Sequence, residues 1–440
     1  MVSGLSRDGL IQRISEGHIL NIWLTYPYGS IPGEGLRPDR PGMLAEALVA
    51  AGHRVTWWVS GFNHRTKQHR VQTPTTIDVS ERFSIRIVPT HAYERNISLA
   101  RIRAEREYSN GVLRLSVSLP PPDVVMVSEP ALFYGGAALA LQRHWRAALI
   151  LDTLDLWPEM FHIALPGLLQ RFGRLIFAPL YARRARTFRR ADGVIAASRD
   201  YRAVSRRLAP HLPDHLMQTV YFGVHVDEFR AAMRLEGPLP SALCIPREPG
   251  EVRCVFASTL GSNYDVDTII DAAALMTERG VSFRLYIAGT GPLEEAIRQR
   301  LKRESLTRVH FLGNPSASEM SRIYARCDVG IAGYVAGSHV TMPIKGFHYC
   351  AAGLAVVTSL AGEYTDLLTE SGAGTRYQPG DAAALAGALE AYVNDHDLLR
   401  TARAASHVLG TKFDAHMQYA RLVQLVERAV RVKHPTDSNG

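Results

Sequence analysis

Short runs of consecutive apolar residues alternate along this chain with stretches in which apolar positions recur every three or four residues. That alternation of buried strands and amphipathic helices predicts α/β domains. A first cycle is expected to hold strands at Ile19–Tyr26, Arg54–Ser60, Val124–Val127, Ala148–Asp152 and Gly193–Ala197, with a helix over Gly42–Ala51. A second cycle predicts strands at Val252–Ala257, Phe283–Ala288, Val309–Leu312, Val329–Ala332 and Leu354–Val357, with a helix over Asp265–Thr277. Between the cycles, Arg230–Gly250 gathers prolines and glycines and reads as a linker. The two doubly wound halves lack a G-x-G-x-x-G after either first strand, which argues against a dinucleotide oxidoreductase.

The most informative stretch is Met342–Thr358. Thr341 suits an N-cap, Pro343 is tolerated in a first turn, and Gly353 suits the position that ends a helix. A brief helix is thus expected to run straight into a buried strand. Lys345 lies in its first turn and shares a face with His348 and Tyr349, three and four residues on. A cation beside free N–H groups at a helix N-terminus makes an anion site. An ordinary helix with a solvated lysine is the competing reading.

Charge changes the picture only once it is divided. Residues 1–235 hold 30 Lys and Arg against 20 Asp and Glu, whereas 236–440 hold 20 against 22. The basicity therefore belongs to the first half. Within it, Pro166–Arg190 carries Arg171, Arg174, Arg183, Arg184, Arg186, Arg189 and Arg190 and no acid, interleaved with apolar residues at helical spacing. That is the pattern of a cationic amphipathic helix on a membrane surface, or of a packing helix with one solvated face. Nucleic acid is disfavoured, because no binding module or stacking motif accompanies the charge.

Other features limit the chemistry. The four cysteines show no C-x-x-C and no zinc spacing, which suggests buried thiols in a reducing compartment. There is no D-x-D, and the histidines lack ligand spacing along the chain, so no metal is expected. Residues 1–17 have no apolar core, so no secretory leader is expected, and Lys433–Gly440 is expected to be disordered.

Four further constellations suit ligands. Gly33-Glu34-Gly35 with Arg37 follows the first strand, where glycines permit close backbone approach or merely form a loop. Asp155-Leu-Trp-Pro-Glu159 follows the strand Ala148–Asp152, at the end of a strand where α/β folds place ligands; helix capping by Asp155 with Trp157 in the core is the alternative. Ser258–Asp267 follows the first strand of the second half, whereas the Gly289-Thr-Gly291 turn after Phe283–Ala288, read alone, is a common structural device. Glu363 begins the element after the strand ending at Thr358, as a ligand-facing acid or a helix-start acid.

Residues 342–353 resemble the Met/Leu-Pro-x-Lys-x-Phe-Glu-Tyr-x-Ala-Ala-Gly pattern of retaining glycosyltransferases of family 4, in the branch that builds O-antigen and capsule polysaccharide, such as N-acetyl-fucosaminyl transferases. Asp155–Glu159 is similar to that branch's Asp-Leu-Trp-Pro-Glu signature. The resemblance runs from about residue 19 to 430 and implies the GT-B fold: two Rossmann-like domains facing an interdomain cleft. It implies an acceptor domain over 1–235, a donor domain over 236–410 and a C-terminal helix, 411–440, returning to the first. It implies transfer from a nucleotide-sugar, UDP-linked by preference, to a glycan or polyprenyl-linked acceptor, without cofactor or catalytic metal, in the cytoplasm and peripheral on an anionic inner membrane.

Carried over residue by residue, the resemblance makes Asp155, Glu159 and Lys345 catalytic. Gly33, Gly35, Thr259, Gly261, Gly289, Gly291, Lys345, His348 and Glu363 bind donor. Arg37 and Trp157 are expected to serve the acceptor, and Arg171, Arg174, Arg183 and Arg184, read from the charge pattern above, acceptor or membrane. The chain departs from the family where its two donor-helix glutamates fall on Val340 and His348, and where its pyrophosphate-holding Arg and Lys fall on Thr259 and Tyr264. Lys345 would then carry most of the fixed positive charge. A GT-B scaffold without activity, a nucleotide-sugar epimerase and a small-molecule binding module remain the other readings.

Overall fold

The computed structural model describes residues 19–34, 39–338 and 340–435. Gly35 and Arg37, the leader reading of residues 1–17 and most of the 433–440 tail lie outside them. The chain forms two compact units, one running to Val220 and resuming at Tyr419, the other Tyr221–Gln418.

The first unit is built on an eight-stranded sheet. Its strands are β1 (Asn21–Thr25), β2 (Arg54–Ser60), β5 (Thr75–Ser80), β6 (Phe83–Val88), β7 (Val124–Glu129), β8 (Ala148–Thr153), β9 (Gly193–Ala196) and β10 (Met217–Thr219), in the order β10-β9-β8-β7-β1-β2-β6-β5. A two-stranded hairpin, β3 (Phe62–Asn63) and β4 (Gln68–His69), stands apart. All pairings in the large sheet are parallel except β5 with β6. Every residue of β7, β8 and β9 is buried, which is why these strands appear in the sequence as unbroken apolar runs. The order reverses between β1 and β7, and such a switch point opens a crevice at the strands' carboxyl ends.

A fully buried ion pair anchors this unit. Arg40, at the start of the helix Arg40–Ala50, donates from Nε and Nη2 to Asp152 at 2.8–3.1 Å and from Nη1 to the Val220 carbonyl at 2.7 Å. The end of the helix Ala415–Lys433 completes the unit: Leu425 lies against Gly193, and Lys433 pairs with Asp192 at 2.5 Å.

The second unit holds a six-stranded, all-parallel sheet: β11 (Val252–Ala257), β12 (Phe283–Ala288), β13 (Val309–Phe311), β14 (Val329–Ala332), β15 (Ala355–Thr358) and β16 (Gly374–Arg376). Its order, β13-β12-β11-β14-β15-β16, places the switch point between β11 and β14.

Three expectations need correction. The chain leaves the first unit at Val220, not at 235, and rejoins it at Tyr419, not at 411. The helix Val226–Arg234 packs within the second unit, where Arg230 donates to the carbonyls of Ala351 and His407 at 3.0 Å each. Pro166–Arg190 is not one helix. It breaks into Gly167–Gln170, Gly173–Ile176 and Ala178–Phe188, because Gly173 packs against His162 and Pro179 can sit only in a new first turn. Thr341 is not the cap: the helix begins at Ile344, with Pro343 at its N-cap. The edge strand β5, its neighbour β6 and the helix Leu99–Leu115 had no counterpart in the sequence reading.

Candidate functional site

In the second unit, the switch point gathers side chains from four separate parts of the chain. Lys345 rises from the first turn of the helix Ile344–Ala352. Its stem is partly accessible, but its Nζ is enclosed by three rings: Tyr264 at 4.2 Å, Phe256 at 4.5 Å and Tyr334 at 5.0 Å from ring centres. Among the described residues Nζ has no hydrogen-bond partner. Rings attract an ammonium but supply no lone pair. Burial holds the Lys345 pKa well below the ordinary lysine value. The competing reading of a solvated lysine is set aside, because the amine is stored under aromatic rings. The buried Ser258 Oγ, at the end of β11, also lacks a partner.

The turns around this point are tightly held. Leu260 N donates to Thr290 O at 2.9 Å and Gly289 N to Gly313 O at 2.6 Å. Gly289 and Gly291 adopt φ of 134° and 157°, and a Cβ on either would overlap the carbonyl oxygen of Ser258 or Leu260. Thr259 is exposed and Gly261 half-buried, with open space beside it. Tyr349 does not share an open face with Lys345. Its buried hydroxyl donates to Ile331 O at 3.1 Å and meets Ala257 N at 3.1 Å, so it pins the helix across β11 and β14. His348 lies on the opposite flank, with Nδ1 at 3.0 Å from the Ile344 carbonyl and its ring 5.4 Å from Phe229. Glu363 begins the helix Glu363–Ser371 and is buried, accepting from the Tyr221 hydroxyl.

In the first unit, the loop after β8 holds the Asp155–Glu159 signature. Asp155 accepts from Leu156 N at 2.8 Å and from the Trp157 indole at 3.0 Å. Glu159 is gripped by both Arg184 nitrogens at 2.7 Å, and Arg184 also donates to the Trp157 carbonyl at 2.8 Å. The Arg101 guanidinium covers the Trp157 ring at 4.8 Å. Both carboxylates therefore hold the Trp157 loop in place. Arg184, expected to face acceptor or membrane, is buried and removed from that role. Arg171, Arg174 and Arg183 are exposed. Gly33 takes φ 90° in open space, and its neighbour Glu34 bonds Arg70 at 2.7 Å, Asn63 at 2.8 Å and Ile31 N at 3.0 Å. Burial acts upward on Glu34, but those three bonds outweigh it and hold its pKa below the usual value.

Sequence reasoning missed Glu129, at the carboxyl end of β7 beside the first unit's switch point. Its carboxyl is enclosed, and burial raises its pKa to about 7 against the pull of the Ala131 N–H and Arg184. The only signal was an acid ending a buried apolar run. Phe256 and Tyr334, which cage Lys345, were missed because they read as strand interior and loop.

Two family models match: "Glycosyltransferase Family 4" over residues 42–228 and "Glycosyl transferases group 1" over 251–395. Fold and domain matches together support a glycosyltransferase of GT-B architecture. The chain is 29% identical over 126 residues to a GDP-mannose-dependent alpha-(1-6)-phosphatidylinositol dimannoside mannosyltransferase of Mycobacterium tuberculosis, covering 28% of this chain and 32% of that protein. It is 24% identical over 182 residues to the amylovoran biosynthesis glycosyltransferase AmsK of Erwinia amylovora, covering 40% and 45%. The chain thus spans less than half the length of these relatives. Among solved structures, it resembles sucrose-phosphate synthase of Thermosynechococcus elongatus (TM-score 0.71, 16% identity, 93% and 98% covered) and Anabaena HepE in complex with UDP (0.60, 16%, 92% and 98%).

The Glu129 carboxyl gives a pH test. Between the unfolded value of about 4.3 and the folded value of about 7, the folded state keeps a proton that the unfolded state has released. Its contribution is therefore fully present below pH 4 and is lost as pH rises to 7, by about 3 kcal/mol. Denaturant titrations at pH 5 and pH 7.5 should show Glu129→Gln gaining stability relative to wild type by that order at the higher pH. Parallel pH dependence in the two proteins would refute the assignment.

Proposed function

We propose that this chain transfers a sugar from a nucleotide-diphosphate donor, a UDP-sugar, to a glycan or polyprenyl-linked acceptor in the assembly of cell-surface polysaccharide or glycoconjugate, with retention at the anomeric carbon. The observation that carries this reading is the partnerless amine of Lys345 at the second unit's switch point. Burying an ammonium without a counter-charge is costly, and such a group is expected where an anion arrives. The donor diphosphate displaces Tyr264, which lies on the half-buried loop after β11, and Lys345 meets the phosphates as an ammonium. Ser258 Oγ supplies a second donor. HepE, solved with UDP and with UDP-glucose on the same fold, and the amylovoran relative favour this donor and product class. The mycobacterial relative's GDP-mannose makes the base the first thing to test.

In the transfer, the bond from the anomeric carbon to the β-phosphate oxygen breaks, and the acceptor oxygen bonds to that carbon on the same face. The acceptor's proton passes to the departing diphosphate, so no enzymic nucleophile and no catalytic metal are required. Asp155 and Glu159 act as positioning residues, holding Trp157 for the acceptor in the first unit. His348 replaces a carboxylate acceptor with an imidazole offering one acceptor and one donor, and so alters ribose recognition.

The first unit, we further propose, rests on the anionic inner face of a membrane. Among the described residues no helix is long and apolar enough to cross one. Leu168 and Leu175 are 82% and 76% exposed, Phe172 and Ile176 nearly half, and six arginines of the same segment are exposed with them. Breaking the segment into short helices leaves those apolar side chains outward, so it presents a patch rather than a stripe.

The activity test is a panel of UDP-, dTDP- and GDP-sugars with and without acceptor. Turnover that needs acceptor is expected. Isomerised sugar would make the chain an epimerase, and silence with every donor would favour a scaffold. Lys345→Met should fold normally and lose about 2–4 kcal/mol of transition-state stabilisation, the scale of one deleted electrostatic donor; an unchanged kcat/KM would remove Lys345 from the chemistry.

The membrane reading is tested by co-sedimentation. Binding to anionic vesicles should exceed binding to zwitterionic ones and weaken with salt, since the Debye length falls to about 3 Å at 1 M. Leu175→Glu should reduce the salt-resistant fraction. Equal binding to both vesicle types would point to a soluble acceptor.

A further inference from the structure

His225, Glu228 and His416 come together in the second unit, with one ligand atom from each within 4.8 Å of the others. The two histidines are 191 residues apart in sequence, and no spacing motif announces them. We propose that these three side chains bind a zinc ion that fastens the two segments by which the chain enters and leaves this unit.

The geometry is prearranged by backbone. Val224 N donates to Phe413 O at 3.0 Å and Ala415 N to Val224 O at 2.9 Å, a parallel bridge that sets the following residues opposite one another. Gly223 makes the approach possible: at φ 72°, a Cβ there would sit 2.9 Å from Ala415 Cα. Tyr221 N bonds Gln418 Oε1 at 3.1 Å, so the segments are tied on both sides of the histidines. His225 Nδ1 then faces His416 Nε2 at 3.3 Å. Two imidazole nitrogens bound at 2.0–2.1 Å to one tetrahedral zinc lie about 3.3 Å apart. The separation already suits a shared ion: each ring has only to turn its lone pair from its neighbour toward the ion, with the hydrogen carried on the ring's other nitrogen. Glu228 stands three residues after His225 in the first turn of Val226–Arg234, the position from which a side chain reaches back to the N-cap. It is exposed and free to rotate inward. Water fills the fourth position.

Electrostatics are balanced rather than one-sided. The helices Val226–Arg234 and Ala415–Lys433 both begin here, and their N-termini disfavour a cation. Asp227, Glu228 and Asp414 oppose this. Asp414 is held as a cap, accepting from Val226 N and Met417 N at 3.2 Å each, so its charge is fixed beside the site without being a ligand. Two imidazoles and one carboxylate select zinc, cobalt or nickel over magnesium or calcium. The ion is structural and none of its three ligands is a residue assigned to the transfer, so this proposal does not rest on the donor reading.

The test uses the untagged full chain and Zn2+ alone, in competition with a chromophoric chelator. One equivalent should bind saturably. His225→Asn and His416→Asn should each weaken it at least tenfold, since even outer partners of metal sites are worth 10–100-fold. Cys244→Ser should bind as wild type does, which separates the site from the exposed thiol. Co2+ in place of zinc should give the visible band of a tetrahedral site without thiolate charge transfer, a readout that does not depend on variants folding. No saturable equivalent, or equal affinity in His416→Asn, would overturn the proposal.

Discussion

An amine enclosed without a hydrogen-bond partner organises the second unit. Lys345 Nζ sits among Phe256, Tyr264 and Tyr334 at the point where the sheet order reverses. The elements around it are fixed by bonds that leave the amine alone: Tyr349 ties its helix to β11 and β14, Gly330 leaves room for the Tyr349 ring, and the glycines at 289 and 291 let their turn press onto the loop after β11. Rings around an ammonium supply some attraction but cannot replace water's lone pairs.

The first unit treats its charges in the opposite way. Asp155, Glu159, Glu34 and Asp152 are each satisfied by named partners, the last by fully buried Arg40. Breaking such a pair would leave an uncompensated buried charge, which typically costs 3–5 kcal/mol. These carboxylates hold backbone and Trp157 in place. Glu129 differs from these: it is an enclosed acid that accepts from the Ala131 N–H, and burial raises its pKa to about 7.

The sheets were largely legible in the sequence because their strands are buried on both faces. Arg54–Ser60, Val252–Ala257, Phe283–Ala288 and Val329–Ala332 fall where the apolar runs place them. The turn at Gly353 follows from its left-handed φ of 69°. The half-exposed edge strand β5 lacks a comparable run and stayed hidden. Helical spacing in 166–190 misled because periodicity does not weigh one glycine and one proline heavily enough. Site chemistry was harder still. Lys345 could be singled out by its position in a motif, but its cage is assembled from β11, the loop after it and the loop after β14, and only the folded sheet brings those together. Arg184 and Glu159 likewise lie 25 residues apart and read separately as a membrane cation and a catalytic acid.

If Lys345 is stored uncharged and meets the donor as an ammonium, binding must draw a proton from solvent. Calorimetric titration of UDP into the protein at pH 8, in buffers of different ionisation enthalpy, measures this directly. Up to one proton should be taken up per UDP bound by the wild type, and none by Lys345→Met. A binding enthalpy independent of buffer, or the same proton uptake in both proteins, would contradict the account.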